Sequence, residues 1–212
     1  MPTLHGVNLS PFVRKARVAL AEKGIAYDQV QVLPFGQTAE FLAISPLGKI
    51  PVYQDDDVTL PDSSVIIDYL EHIQPEPALY PAAPAERARA LWLEEYADTK
   101  LVEVLTTVFF QRFVAPNFMQ QETDTALVDE TLREKIPPVF DYLEQQIGDA
   151  EVLVGSHFSI ADIAVTSPFV NFQIAGEGVD ASRWPNLATY VARMHGRPAY
   201  KPIVEGDIAP PG

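Results

Sequence analysis

Short runs of alternating apolar and polar residues, separated by longer stripes of helical spacing, organise the first third of the chain. Leu4 and Val7 lie in a turn-bounded run over residues 2–8 that predicts a weak strand. Ser10-Pro11 then opens a helix, since serine is a preferred cap and proline at the first helical position has no N–H to waste. Val13, Ala16, Val18, Ala19 and Leu20 form the apolar stripe of that helix, and Lys23-Gly24 supplies its stop. Residues 27–32 alternate as a second strand. Strand, helix and strand in that order require a crossover, and therefore a parallel pair. Phe41-Leu42 is a brief helical piece that ends at Ser45-Pro46. Residues 50–54 read as a strand with proline near its start, Asp55-Asp56-Asp57 as a turn, and Val58 to Leu60 as the returning arm of a hairpin. Ser63 to Ile73 then carries helical spacing through Val65, Ile66, Tyr69 and Leu70.

The pattern changes after residue 73. Residues 74–84 hold four of the chain's 19 prolines, too many for a helix interior, and this stretch reads as a linker. Beyond it no strand alternation is found. Ala85 to about Phe113 is one long helical stretch, expected to stop at Pro116. Thr123 to Ile147 is a second, kinked or split by Pro137-Pro138 and ended by Gly148. Ser159 to about Ile174 is a third, and Leu187 to His195 a fourth. The order β-α-β then β-β-α, followed by helices alone, predicts a thioredoxin-like domain over residues 1–76. A proline-rich linker over 77–84 then leads to an all-helical domain over 85–212.

Composition narrows the chemistry. The chain lacks cysteine, so any thiol chemistry must be brought by a ligand, and disulfides and thiolate metal sites are excluded. A formal charge of −14 argues against nucleic acid, whose phosphates such a surface repels. No apolar run approaches the ~18 residues of a membrane span, and the first residues have no charged segment leading into an apolar one. A cytoplasmic protein without membrane or metal is expected. One region departs from the acidic average: residues 1–24 carry Arg14, Lys15, Arg17 and Lys23 against Glu22 alone. Taken by itself this cluster reads as a solvated helix face. The sharper alternative is a locally positive surface near an anionic small molecule.

Four local features then fall in a telling order. Ser10-Pro11-Phe12 stands at the first strand-to-helix turn, and Gly48-Lys49-Ile50-Pro51-Val52 leads into the hairpin. Leu60-Pro61-Asp62-Ser63-Ser64 precedes the next helix, and Ser159-Ile160-Ala161-Asp162 opens a helix of the second half. By this set the chain resembles the cytosolic glutathione transferases along nearly its whole length, in the bacterial-type form with serine at the thiol-contacting position. The resemblance implies glutathione as co-substrate and no metal. It places Ser10 at the glutathione thiol, with Phe12 beside it. Pro51 would be cis, presenting the Ile50 backbone to the cysteinyl part of glutathione. Asp62 and Ser63 would take the γ-glutamyl end, with Lys49 and Gln37 near the glycine carboxylate.

Each residue also has a plainer reading. Ser10 fits a helix cap, as does one of Asp62 and Ser63; Pro51 fits a trans proline entering an edge strand, and Lys49 a surface lysine. Asn8 and His5 are polar alternatives to Ser10. A hydroxyl donor at sulfur is energetically sufficient, since lowering a thiol pKa by about two units requires about 2.7 kcal/mol. A hydrogen bond to a charged group supplies about 1.5–3 kcal/mol. Ser159 and Asp162 make a capping box and carry no chemistry. Val108, Phe109, Arg112 and Phe113 on the long helix are candidates for a second-substrate pocket, although a stripe of that spacing is more often core. The implied reaction is conjugation of the glutathione thiolate to a small hydrophobic electrophile, and the implied assembly a homodimer. A glutathione-dependent isomerase or peroxidase on the same site, or a non-catalytic binding or scaffold protein of the same fold, are the alternatives.

Overall fold

The structure, a computed structural model, describes residues 1–209. It divides into two compact units, one ending at Leu79 and the other beginning at Tyr80. In the first, β1 (Thr3–His5), α1 (Pro11–Glu22), β2 (Asp28–Val30), α2 (Ala39–Ile44), β3 (Val52–Gln54), β4 (Thr59–Pro61) and α3 (Ser63–Ile73) follow one another. The sheet order is β2-β1-β3-β4, with β1 parallel to β2 and the other pairs antiparallel. This is the thioredoxin-like arrangement. Leu4, Val13, Ala16, Leu20, Val52, Ile66 and Leu70 are wholly buried and form its core, with α1 packed on α3.

The strands are shorter than the alternating runs suggest, each only three residues. Gly6 ends β1: its φ of 146° lies where side chains are disfavoured, and a Cβ there would meet Val13 Cγ2 at 2.4 Å. Pro51 delays β3, because proline has no N–H for the ladder.

The second unit is entirely helical among the described residues. α4 (Pro84–Tyr96), α5 (Val102–Phe109) and α6 (Ala115–Phe118) run into one another through π turns at Ala97–Leu101 and Phe110–Val114. The stop expected at Pro116 is therefore corrected: the helix continues to Phe118. The π turn just before it is where the i→i−4 ladder is already broken, so a residue lacking an N–H is accommodated there. The same device recurs in α7 (Thr125–Glu130) and α8 (Ile136–Ile147), joined by a π turn at Thr131–Lys135 immediately ahead of Pro137-Pro138. Gly148, at φ 52°, ends α8.

α9 (Ile160–Ile174) is the centre of this unit, with 13 of its 15 residues buried, and α4, α5, α10 (Pro185–His195) and α11 (Lys201–Ile208) pack around it. Its start is held by Asp162, whose carboxylate accepts the Ser159 N–H at 2.8 Å, the Ser159 hydroxyl at 3.1 Å, the Leu153 N–H at 2.9 Å and the Tyr190 hydroxyl at 2.6 Å. Burial pushes this carboxyl above its ordinary range against the pull of those four donors. α11 was not expected from the pattern: Pro202 and Gly206 interrupt an apolar stripe only eight residues long.

Candidate functional site

The strand register decides what comes together. His5 at the end of β1 faces Val30 at the end of β2 and Val52 at the start of β3, and Val52 faces Pro61 at the end of β4. Everything that leaves the sheet along this row therefore gathers at one edge: the 6–10 loop into α1, Ile50-Pro51 ahead of β3, and Asp62-Ser63 ahead of α3. The Asp62 N–H donates to the Pro51 carbonyl at 3.2 Å, tying two of these segments directly.

Ser10 caps α1. Its hydroxyl oxygen accepts the Val13 N–H at 3.3 Å, which leaves the hydroxyl proton free to donate outward. The two polar alternatives are engaged in the scaffold. His5 Nε2 is 2.7 Å from Gln54 Oε1, and Asn8 Oδ1 accepts from Gln29 Nε2 at 2.7 Å. Phe12, half-buried, occupies the first turn of α1.

The Ile50–Pro51 peptide is cis, as the resemblance implies. Among the described residues the backbone groups of Ile50 take no part in the sheet ladder, which begins at Val52. At the third segment the division of labour is clear. Asp62 is the helix cap: its Oδ1 accepts the N–H groups of Ser64 at 2.9 Å and Val65 at 3.2 Å. It holds φ 92°, in the region that side chains avoid, a feature found where local geometry is over-determined by its surroundings. Ser63 is only 2% exposed, and among the described residues its hydroxyl makes no hydrogen bond. It is the first residue of α3, where N–H groups lack helical partners and the dipole is positive.

Gln37 donates through Nε2 to the Leu33 carbonyl at 2.6 Å, and its Cγ lies 3.5 Å from the Cβ position of Gly48. Lys49 is anchored by its backbone to Ser45 Oγ, with its side chain exposed. The four cations of α1 are not a solvated face, and that expectation is corrected: Arg14, Lys15, Arg17 and Lys23 are between 0% and 9% exposed. Two of them, Lys15 and Lys23, are met by partners distant in sequence. Arg14 donates to the Asn8 carbonyl at 3.2 Å, and Lys15 Nζ to Ser64 Oγ at 2.9 Å. Lys23 Nζ binds Glu71 at 2.7 Å and the carbonyls of Gln74 and Pro77.

The residues named for a second substrate lie on the long helix of the other unit. Val108 and Phe109 are buried in its core, and Phe113 stacks on Phe109 with ring centres 5.3 Å apart. The Arg112 guanidinium is paired with the Glu177 carboxylate and donates to the Ala175 carbonyl.

Two family models match the chain, the N-terminal domain of glutathione S-transferase over residues 4–78 and the C-terminal domain over residues 84–193. The chain belongs to the glutathione S-transferase family. Glutathione S-transferase GstB of Escherichia coli K12 is 28% identical over 96% of this chain and 98% of its own length. A glutathione S-transferase from Rhodospirillum rubrum F11 has a structure that superposes with a TM-score of 0.86, at 28% identity, covering 96% of this chain and 91% of that one. FtsZ-localized protein A of Caulobacter vibrioides is 24% identical over 95% of this chain and 90% of its own length. Sequence reasoning missed the supporting contacts of two residues. Gln29 Nε2 donates to both the Gly6 carbonyl and Asn8 Oδ1 and so holds the loop before Ser10. Lys15 reaches the first turn of α3. Neither leaves a local signal, because each acts across the fold.

Proposed function

We propose that this chain binds glutathione along the shared edge of its sheet and conjugates the thiolate to small hydrophobic electrophiles. The observation that carries the proposal is the alignment of Ser10, Ile50-Pro51 and Asp62-Ser63 on one strand row. From β1 to β4 that row spans two strand spacings, about 10 Å. An extended tripeptide reaches about 10 Å as well. In this reading Ser63 and the N-terminus of α3 receive the γ-glutamyl carboxylate and the Asp62 carboxylate faces the γ-glutamyl ammonium. The Ile50 backbone pairs with the cysteinyl backbone in the manner of an added strand. Gln37 and Lys49 stand toward the glycine carboxylate, and Phe12 lies beside the thiol.

The chemistry asked of Ser10 is modest. Its O–H donates to sulfur, favouring thiolate over thiol, and the N-terminus of α1 adds a dipole of the same sign. The thiol proton leaves to solvent. The sulfur lone pair then forms the new C–S bond, and the leaving group departs with its electron pair. Of the residues named for the second substrate, the half-exposed Phe113 and Arg112 are the ones proposed to meet it, while Val108 and Phe109 back them from the core.

Calorimetry with glutathione, followed by turnover of an activated aryl halide, tests the reading. Micromolar to millimolar binding with conjugate formation is expected. The name of FtsZ-localized protein A keeps a second reading in view, a glutathione S-transferase-like binding protein without turnover. Glutathione binding with no product from a panel of electrophiles would favour that one.

A further inference from the structure

Ser10 stands at the end of a short connection, residues 6–10, between β1 and α1. The Gly6 N–H donates to the Val30 carbonyl at 2.9 Å, and the Ser10 N–H to the Val7 carbonyl at 3.1 Å. A side chain of the neighbouring strand adds a clamp. Gln29, the middle residue of β2 and opposite Leu4 in the parallel register, donates through Nε2 to the Gly6 carbonyl at 2.9 Å and to Asn8 Oδ1 at 2.7 Å. A carbonyl can only accept, so Gly6 fixes which end of the Gln29 carboxamide faces it. The Gln29 amide nitrogen in turn requires the oxygen of Asn8 rather than its nitrogen. The clamp thus has one arrangement of donors and acceptors, and it grips the connection at Gly6 and at Asn8. The cap bond from Val13 to the Ser10 hydroxyl is long, 3.3 Å, so the direction of that hydroxyl is set by the backbone that carries it.

We propose that Gln29 is a positioning residue for the proposed conjugation, acting through Ser10: it holds the 6–8 backbone so that the Ser10 O–H aims at the glutathione sulfur. The inference rests on the function proposed above. A hydrogen bond weakens steeply as it departs from linearity, so a hydroxyl that swings with its loop stabilises thiolate less than one held in line. The clamp orders the loop before the ligand arrives, and none of that ordering is left to the moment of ionisation. A carboxamide suits the task because it is neutral. It adds no charge of its own near sulfur, so its influence on the thiol passes through the geometry of Ser10.

The thiolate absorbance of bound glutathione, titrated against pH, reads this directly and needs no turnover. Wild type, Gln29→Ala, Ser10→Ala, the double variant and Asn8→Ala are compared, with glutathione affinity taken by calorimetry below the thiol midpoint. Gln29→Ala displaces Ser10 without removing it, so the midpoint should rise by about 0.7 unit, a fivefold loss in the ionisation constant. Affinity should hardly change. The double variant should titrate like Ser10→Ala, because two changes that act through one bond do not add. Asn8→Ala loses one of the two clamp bonds and should give a smaller rise; it carries the test where Gln29→Ala does not fold. A merely structural glutamine would lower the melting temperature and leave the midpoint in place. Wild-type protein that does not bind glutathione, or binds it with the thiol at its ordinary pKa of about 8.5, defeats the proposed function itself. A depressed wild-type midpoint that stays put in Gln29→Ala, or in Asn8→Ala where Gln29→Ala does not fold, overturns the role of Gln29 alone. So does a double variant shifted beyond Ser10→Ala by the full Gln29→Ala increment.

Discussion

Ser10 and Ser63 are both serines at helix starts, yet the structure gives them different duties. Ser10 makes a cap bond of 3.3 Å to Val13, long enough to contribute little, while its proton stays available. Ser10→Ala should therefore cut turnover with an activated aryl halide by about 10- to 30-fold, corresponding to about 1.4–2 kcal/mol, the low end for a lost hydrogen bond to a charged group. Glutathione affinity should hardly change, and steady-state kinetics beside calorimetry checks the split. Unchanged turnover would remove Ser10 from the mechanism. Ser63 does no capping, since Asp62 takes the N–H groups of Ser64 and Val65. Ser63→Ala should accordingly weaken glutathione several-fold and leave the melting temperature in place. Asp62→Ala should lower stability, because a lost cap costs about 0.5–2 kcal/mol. A melting drop in Ser63→Ala with intact binding would reverse the two assignments. The sequence made these positions legible as helix starts, but not which serine caps, because that depends on which hydroxyl faces its own backbone.

At the scale of elements, the β3–β4 hairpin is tied to α3 through one carboxylate. Asp55 Oδ1 accepts the N–H groups of Asp57 and Val58, each at 2.9 Å, and Oδ2 accepts the Tyr69 hydroxyl at 2.8 Å. Partial burial pushes the Asp55 carboxyl up, but these donors outweigh it and hold the group below its ordinary range. The same bond, with some burial, pushes Tyr69 up to about 12. The signs differ. A depressed acid contributes stability that is present above its unfolded pKa and is lost as pH falls. A raised phenol contributes stability that is full below about 10 and is lost as pH rises through about 12. Asp55→Asn should flatten both arms of a plot of urea midpoint against pH, and Tyr69→Phe should flatten chiefly the alkaline arm. An alkaline arm of wild-type steepness in Tyr69→Phe would show that other groups set it. Elements with local signals were legible: the Ser10-Pro11 start, the Asp55 turn, the Gly148 stop and the Ser159-Asp162 box. Pro116 misled because a π turn, invisible in residue spacing, had already opened the ladder ahead of it. The burial of Lys15 and Lys23 was equally hidden, since Ser64, Glu71 and Pro77 lie about fifty positions away along the chain.

For the whole molecule, the remaining question is assembly. The resemblance implies a two-fold homodimer in which the first domain of one subunit meets the helical domain of the other, with α3 near the axis and the early part of α4 opposite. Apolar side chains stand exposed on both helices: Val65 and Ile73 on α3, Leu91 and Trp92 on α4. Against this, two copies carry twice −14, and that repulsion opposes association. Arg87 is stacked on the Tyr80 ring at 4.5 Å and Arg89 is bonded to Gln146, and the dimer that the resemblance implies would set them against Asp62 or Asp68 of the other copy. Salt separates the two electrostatic effects, because the screening length falls from about 8 Å at 0.15 M to about 3 Å at 1 M. If net repulsion dominates, added salt tightens the dimer; if arginine–aspartate pairs dominate, it loosens it. Light scattering at micromolar concentration should give twice the 23.4 kDa chain mass, and Val65→Glu should return it to the monomer. The burial of an unpaired carboxylate beside the axis is the cause of that loss. A mass of 23.4 kDa for wild type at both salt concentrations would sink the dimer, and a Val65→Glu protein that stays dimeric would move the interface away from α3.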